Sequence, residues 1–120
     1  MGNRVENRRA ALRVDLKEAL NMKIFFSSEN PNLLCKTLCG STIDVSSSGL
    51  RIELNQKIKI DSVLDVWVTL KETQKKYFLT GNVRWCQSME TGEYFLIGVV
   101  LRERSDTVTD LSGWRAVFKN

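Results

Sequence analysis

Short runs with an apolar side chain at every second position, each closed by a cluster of turn formers, dominate this sequence and admit few folds. Leu20, Met22, Ile24 and Phe26 alternate with Asn21, Lys23 and Phe25. Leu50, Ile52 and Leu54 alternate with Arg51 and Glu53, and Leu64, Val66, Val68 and Leu70 with Asp65, Trp67 and Thr69. A period of two puts one side of an extended chain into a core and the other into water. Leu33 to Ile43, Tyr77 to Cys86 and Glu93 to Leu101 read as further strands, and Gly98 in the last marks a close approach or a bulge. Ile58 and Ile60 belong to a short edge strand or a connection. The turn chemistry lies at Ser27 to Asn32, Lys71 to Lys76 and Gln87 to Gly92.

After Leu101 the period changes. Val108, Leu111, Trp114 and Phe118 stand three or four apart, which predicts an amphipathic helix over about 105–118 with Ser105 or Asp106 as its N-cap. Gly113 inside it costs about 1 kcal/mol relative to alanine, so the helix needs a packing partner. It either plugs a barrel mouth or offers a docking or dimerisation surface. Six or so strands joined by hairpins predict an all-β barrel or sandwich, since closure removes exposed edges.

The 120 residues suffice for one domain with a single core. No apolar run approaches the roughly 18 residues of a membrane span. No apolar stretch follows the first arginines as in a signal peptide, so a cytoplasmic chain is expected. Cys35, Cys39 and Cys86 are odd in number, against a secreted disulfide framework, and are expected as buried or half-buried thiols. There is no histidine, so a zinc site lacks ligands and Ser-His or Cys-His nucleophile activation is excluded. The chain reads as a binding protein without a metal, not an enzyme.

The net charge is +4, and its placement matters more than its size. Arg4, Arg8, Arg9 and Arg13 face Glu6 alone, so residues 1–13 are expected as a flexible basic arm and 14–120 as the barrel domain. Arg9 and Arg13 share a face on a helical turn, or lie up to roughly 14 Å apart if extended. Either spacing clamps two phosphates; a merely solvated tail is the alternative. The stretch Asp44-Val45-Ser46-Ser47-Ser48-Gly49 reads as a hairpin turn whose backbone N–H groups and hydroxyls suit an anion. Asp44 fits a bare phosphate poorly and favours a partner with donors, such as a guanine edge. Many such turns are purely structural.

With both segments placed, the chain resembles the PilZ domain, the bacterial receptor for cyclic di-GMP. Arg9-Ala10-Ala11-Leu12-Arg13 matches that family's RxxxR motif, and Asp44 to Gly49 its [DN]xSxxG motif about thirty positions later. Gly81 to Trp85 and Ile97-Gly98-Val99 look like its fifth and sixth strands. The resemblance implies a six-stranded antiparallel β-barrel with a C-terminal helix. It implies that Arg9 and Arg13 hold phosphates and stack on guanine, that Asp44 and Ser46 bond a base edge, and that Gly49 admits close backbone approach. Arg8, just before the motif, implies an intercalated ligand dimer. Trp85 stands where some relatives have a ligand-contacting tryptophan, with core packing as the competing reading; by strand alternation it shares a face with Val83, and Arg84 with Cys86. Arg51 and Arg84 are further candidates for a cationic face, or solvated charges. Ser47 and Ser48 depart from the residues usual inside the second motif.

The expected function is then a cyclic di-GMP receptor or adaptor that orders its arm on binding and signals to an effector protein in trans. Motility, exopolysaccharide and virulence are the candidate pathways. Two alternatives stand beside it: a small barrel binding single-stranded nucleic acid, and a PilZ-fold adaptor working without ligand.

Overall fold

The computed structural model describes residues 13–26 and 37–119. Among the described residues, seven strands and one helix follow in chain order: β1 (Val14–Asp15), β2 (Ala19–Phe26), β3 (Thr37–Val45), β4 (Gly49–Leu54), β5 (Val63–Leu70), β6 (Lys75–Ser88), β7 (Phe95–Arg102) and α1 (Leu111–Phe118). All pairings are antiparallel, in the order β3-β2-β5-β6-β7-β4. Gly40↔Leu54 to Val45↔Leu50 then join β3 to β4 and close a six-stranded barrel. The two residues of β1 lie against the end of β3.

Alternation explains the closure. Leu20, Met22 and Ile24 of β2, Leu50, Ile52 and Leu54 of β4, and Leu64, Val66 and Val68 of β5 point inward into one core with Leu79, Val83, Ile97 and Val99. Their interleaved partners face out. Gly81 lets the wall curve tightly: a Cβ there would lie 2.5 Å from a Val99 methyl and 2.7 Å from the Val100 carbonyl. Between β4 and β5 the chain forms a connection, with Ile58 buried and Ile60 half exposed.

The helix differs from its sequence expectation. It starts at Leu111, with Asp110 at the N-cap position, not at Ser105 or Asp106. The intervening chain is irregular, with bends at 105–107 and 110, and its side chains are tied to the barrel and to one another. Arg104 donates to Asp65 at 3.0 Å and to Asp106 at 2.7 Å. Asp110 donates its N–H to the Phe78 carbonyl at 2.8 Å, and its carboxylate accepts the Phe78 N–H at 2.8 Å, so it makes no side-chain cap. Val108, expected on the apolar face, is 90% exposed. Leu111 and Trp114 are buried instead, with Trp114 edge-on to Tyr77 at 5.3 Å and 4.5 Å from Phe118. The Trp114 indole N–H donates to the Ser46 carbonyl at 2.9 Å, fastening helix to hairpin. The packing partner that Gly113 demanded is thus the barrel core.

Cys39 is exposed, against the expectation of buried or half-buried thiols, because it sits at an outward position of β3; Cys86 is half-buried, and Cys35 lies outside the described residues. No helix among the described residues is long and apolar enough to cross a membrane.

Trp114→Ala should cost about 3–5 kcal/mol by leaving a cavity in the core. Val108→Ser should stay within about 0.5 kcal/mol. Urea unfolding of both variants checks the helix boundary, because a helix running from Ser105 would make both substitutions costly.

Candidate functional site

Arg13, the described end of the first sequence motif, meets the second motif at the end of β3. The β1–β3 pairs Val14↔Val45 and Asp15↔Asp44 carry the adjoining Arg13 onto the barrel. Arg13 Nε then donates to Asp44 Oδ1 at 2.6 Å. A register shift between Thr42 and Asp44 sets Asp44 opposite Arg51 of β4. Arg51 Nε lies 3.0 and 2.8 Å from the two carboxylate oxygens, and its Nη2 also donates to Oδ2. The Asp44 side chain is 4% exposed, while those of Arg13 and Arg51 are 39% and 42% exposed.

Burial on its own would push the Asp44 carboxyl up, but the hydrogen bonds and charges of Arg51 and Arg13 together hold it below its ordinary value. The same carboxylate raises the Arg51 guanidinium. Both Asp44 oxygens are therefore engaged by arginines, and a base edge would have to compete with them.

Ser46 is fully buried. Its hydroxyl accepts the N–H groups of Gly49 at 3.1 Å and Ser48 at 3.3 Å, and its own N–H donates to the Gly49 carbonyl at 2.9 Å. The side chain builds the turn from inside, which is what short serine-rich turns do when a hydroxyl substitutes for a backbone acceptor. Gly49 answers a packing demand: a Cβ there would lie 2.8 Å from the Val99 carbonyl oxygen and 3.8 Å from Arg13 Nη1.

Trp85 is 36% exposed on the outer wall. A register shift between Val83 and Trp85 inserts Arg84 as an extra residue, so Val83 points inward while Arg84 and Trp85 both face out. The strict alternation expected for this strand, pairing Val83 with Trp85, fails at that bulge. The indole lies flat on Gly98, its cross-strand partner, where an added Cβ would come within 2.3 Å of the ring. Gly98 is thus a close approach, as its place in the strand suggested.

Arg13, Gly49, Arg51, Arg84, Trp85 and Val100 line one groove of about 390 Å³ over β4, β7 and the bulge of β6. Three guanidinium groups and an exposed indole converge there, a donor set suited to a flat anionic ligand carrying phosphates. Arg51 and Arg84 join the site through register: one faces Asp44, the other is the bulge residue. Sequence alone left them as candidates, because a bulge leaves no periodic signal. Arg8 and Arg9 lie outside the described residues.

A small antiparallel barrel with a C-terminal helix, whose Arg13 and hairpin carboxylate meet beside a cationic groove, has the form of a binding or adaptor domain. The PilZ domain family model matches residues 7–112, and the chain belongs to that family. It is a PilZ-type adaptor domain. Among solved structures, the Inhibitor of motility (MotI/DgrA) of Bacillus subtilis is similar, with a TM-score of 0.66 at 14% identity over 92% of this chain. This chain spans 49% of that protein's length. No curated protein matches the sequence.

Because the native Asp44 carboxyl ionises more readily than in the unfolded chain, its contribution to stability is complete above the unfolded value. It is lost as pH falls through the lower native one. The stability difference between wild type and Asp44→Asn should be flat above about pH 5 and shrink below about pH 4. Denaturant melts across that range check it. Gly98→Ala should drive the indole off the wall, read as a shifted Trp85 indole signal in NMR spectra with the barrel signals otherwise kept.

Proposed function

We propose that the chain is a cyclic di-GMP receptor whose groove binds the dinucleotide and whose N-terminal arm closes over it. The observation that carries this reading is the 2.6 Å contact from Arg13, the last residue of the arm motif, to Asp44 of the hairpin motif at the rim of the arginine and Trp85 groove. Cyclic di-GMP presents two phosphates and two flat purines, and these residues offer the complementary chemistry.

Arg13, Arg51 and Arg84 face the phosphates and purines with charge and planar guanidinium surfaces, and Trp85 offers a stacking platform. Asp44 holds Arg13 and Arg51 at the rim before ligand arrives, which reduces the ordering cost on binding. Ser46 and Gly49 act by fixing the turn. Arg9 adds a further fork from the arm, and Arg8 supports a second, intercalated ligand molecule. Charge-assisted hydrogen bonds contribute about 1.5–3 kcal/mol each, against about 1–2 kcal/mol per arm residue ordered. Several such contacts give micromolar affinity or better.

The bound complex then signals in trans to an effector protein, with motility, exopolysaccharide or virulence as the controlled output. The fold shared with the Inhibitor of motility of Bacillus subtilis is compatible with the first of these.

Isothermal titration with cyclic di-GMP, cyclic di-AMP and GTP tests the reading. Cyclic di-GMP alone should release heat, with about two ligands per chain and about one in Arg8→Ala. Arg13→Ala and Arg84→Ala should each weaken binding about tenfold or more, the loss of one charge-assisted contact. No heat with cyclic di-GMP on the folded wild type would sink it.

A further inference from the structure

Across the barrel from the arginine groove, outward residues of four neighbouring strands fall in one row. Cys39 of β3, Asn21 of β2, Trp67 of β5 and Phe78 of β6 are successive register partners. Outward barrel positions facing water are ordinarily polar. Here Trp67 and Phe78 stack with ring centres 5.1 Å apart at 27°. Beside the indole lies a depression of about 520 Å³, lined also by Asn21, Lys23, Cys39, Thr69 and Lys76.

Its charge is one-sided. Lys23 and Lys76 both line it, and no carboxylate does among the described residues. Asp65, the register partner of Lys23, is engaged elsewhere: Arg104 donates to it at 3.0 Å and the Thr80 hydroxyl at 2.9 Å. An aromatic floor between two lysines is complementary to a segment that brings an apolar side chain flanked by carboxylates. Buried aromatic anchors supply most of the energy at such contacts, and the surrounding charges select partner and register.

Strand order gives the location meaning. In the closed series β3-β2-β5-β6-β7-β4, the pair β2 and β5 stands on the opposite wall from the pair β7 and β4. A ligand over β4 and β7 leaves this depression open.

We propose that the Trp67 depression docks an acidic segment of a partner protein, with one apolar side chain against the indole and carboxylates on Lys23 and Lys76. Its service as the output face rests on the receptor reading above; the docking itself does not.

The test is an NMR titration of the nitrogen-15-labelled full chain with a short synthetic peptide of aspartates and glutamates around one phenylalanine. The Trp67 indole signal and the amides of Asn21, Lys23 and Lys76 should shift. A peptide with lysines in place of the acids should move none of them. Lys23→Glu combined with Lys76→Glu should weaken the acidic peptide at least tenfold, and Trp67→Ser should do the same. Both variants should keep the wild-type heat of cyclic di-GMP binding. The proposal is overturned by absence of shifts at Trp67, by affinity that survives charge reversal, or by sedimentation showing the depression occupied by a second copy of the chain. If the peptide docks while cyclic di-GMP gives no heat, the receptor reading falls and the docking surface stands; the reverse result separates them in the other direction.

Discussion

The barrel, the helix and the candidate site all hang on how one buried serine satisfies the turn between β3 and β4. Ser46 has no access to water, so each of its polar groups needs a partner within the protein. Its hydroxyl takes the Gly49 and Ser48 N–H groups, its N–H goes to the Gly49 carbonyl, and its carbonyl takes the Trp114 indole N–H. The Ser48 carbonyl accepts the Leu101 N–H from β7 at 2.9 Å. One turn therefore closes the β3–β4 seam, anchors the helix and ties in a third strand. Asp44 sits two residues before Ser46 and Gly49 three after it, so the geometry of the groove rim follows from the same hydrogen bonds.

That dependence alters the meaning of the hairpin motif. A serine and a glycine beside an aspartate read naturally as ligand contacts, because hydroxyls and exposed backbone suit anions and bases. In the folded chain the serine is buried with its hydroxyl on the turn's own N–H groups, and the glycine is required by the Val99 carbonyl 2.8 Å from where its Cβ would be. Two of the motif's residues shape the loop, and the third, Asp44, organises cations. The groove's positive face comes from Arg13, Arg51 and Arg84, none of which lies within Asp44 to Gly49.

Alternation made the fold legible. Leu50, Ile52 and Leu54, or Leu64, Val66 and Val68, have one interpretation in a chain of this length, and their inward faces are those expected. The approach of Arg13 to the Asp44 hairpin was legible only through the paired motifs, since no periodicity links positions so far apart. What escaped was set by register. The bulge at Arg84 turns Trp85 from Val83's inward face to the outer wall, and the shift before Asp44 brings Arg51 to it. The late helix start has a similar origin. Val108, Leu111, Trp114 and Phe118 have helical spacing, yet Arg104 and Asp110 spend their side chains on β5 and β6, and those tertiary bonds outweigh local propensity.

Asp44 also limits how the groove can answer a ligand. A nearly buried carboxylate that lost both arginines would be left desolvated without a counter-charge, an expensive state. A phosphate group at the groove must then either share Arg13 and Arg51 with Asp44 or draw one away while the other remains. Arg51 is held by both oxygens and carried on a strand paired along both its edges; among the described residues Arg13 makes one side-chain hydrogen bond, next to a strand of two residues. An anion that competes for guanidinium groups here meets Arg13 and Arg51 already shared with one nearly buried carboxylate, so the charge balance of Asp44 governs what the groove can release.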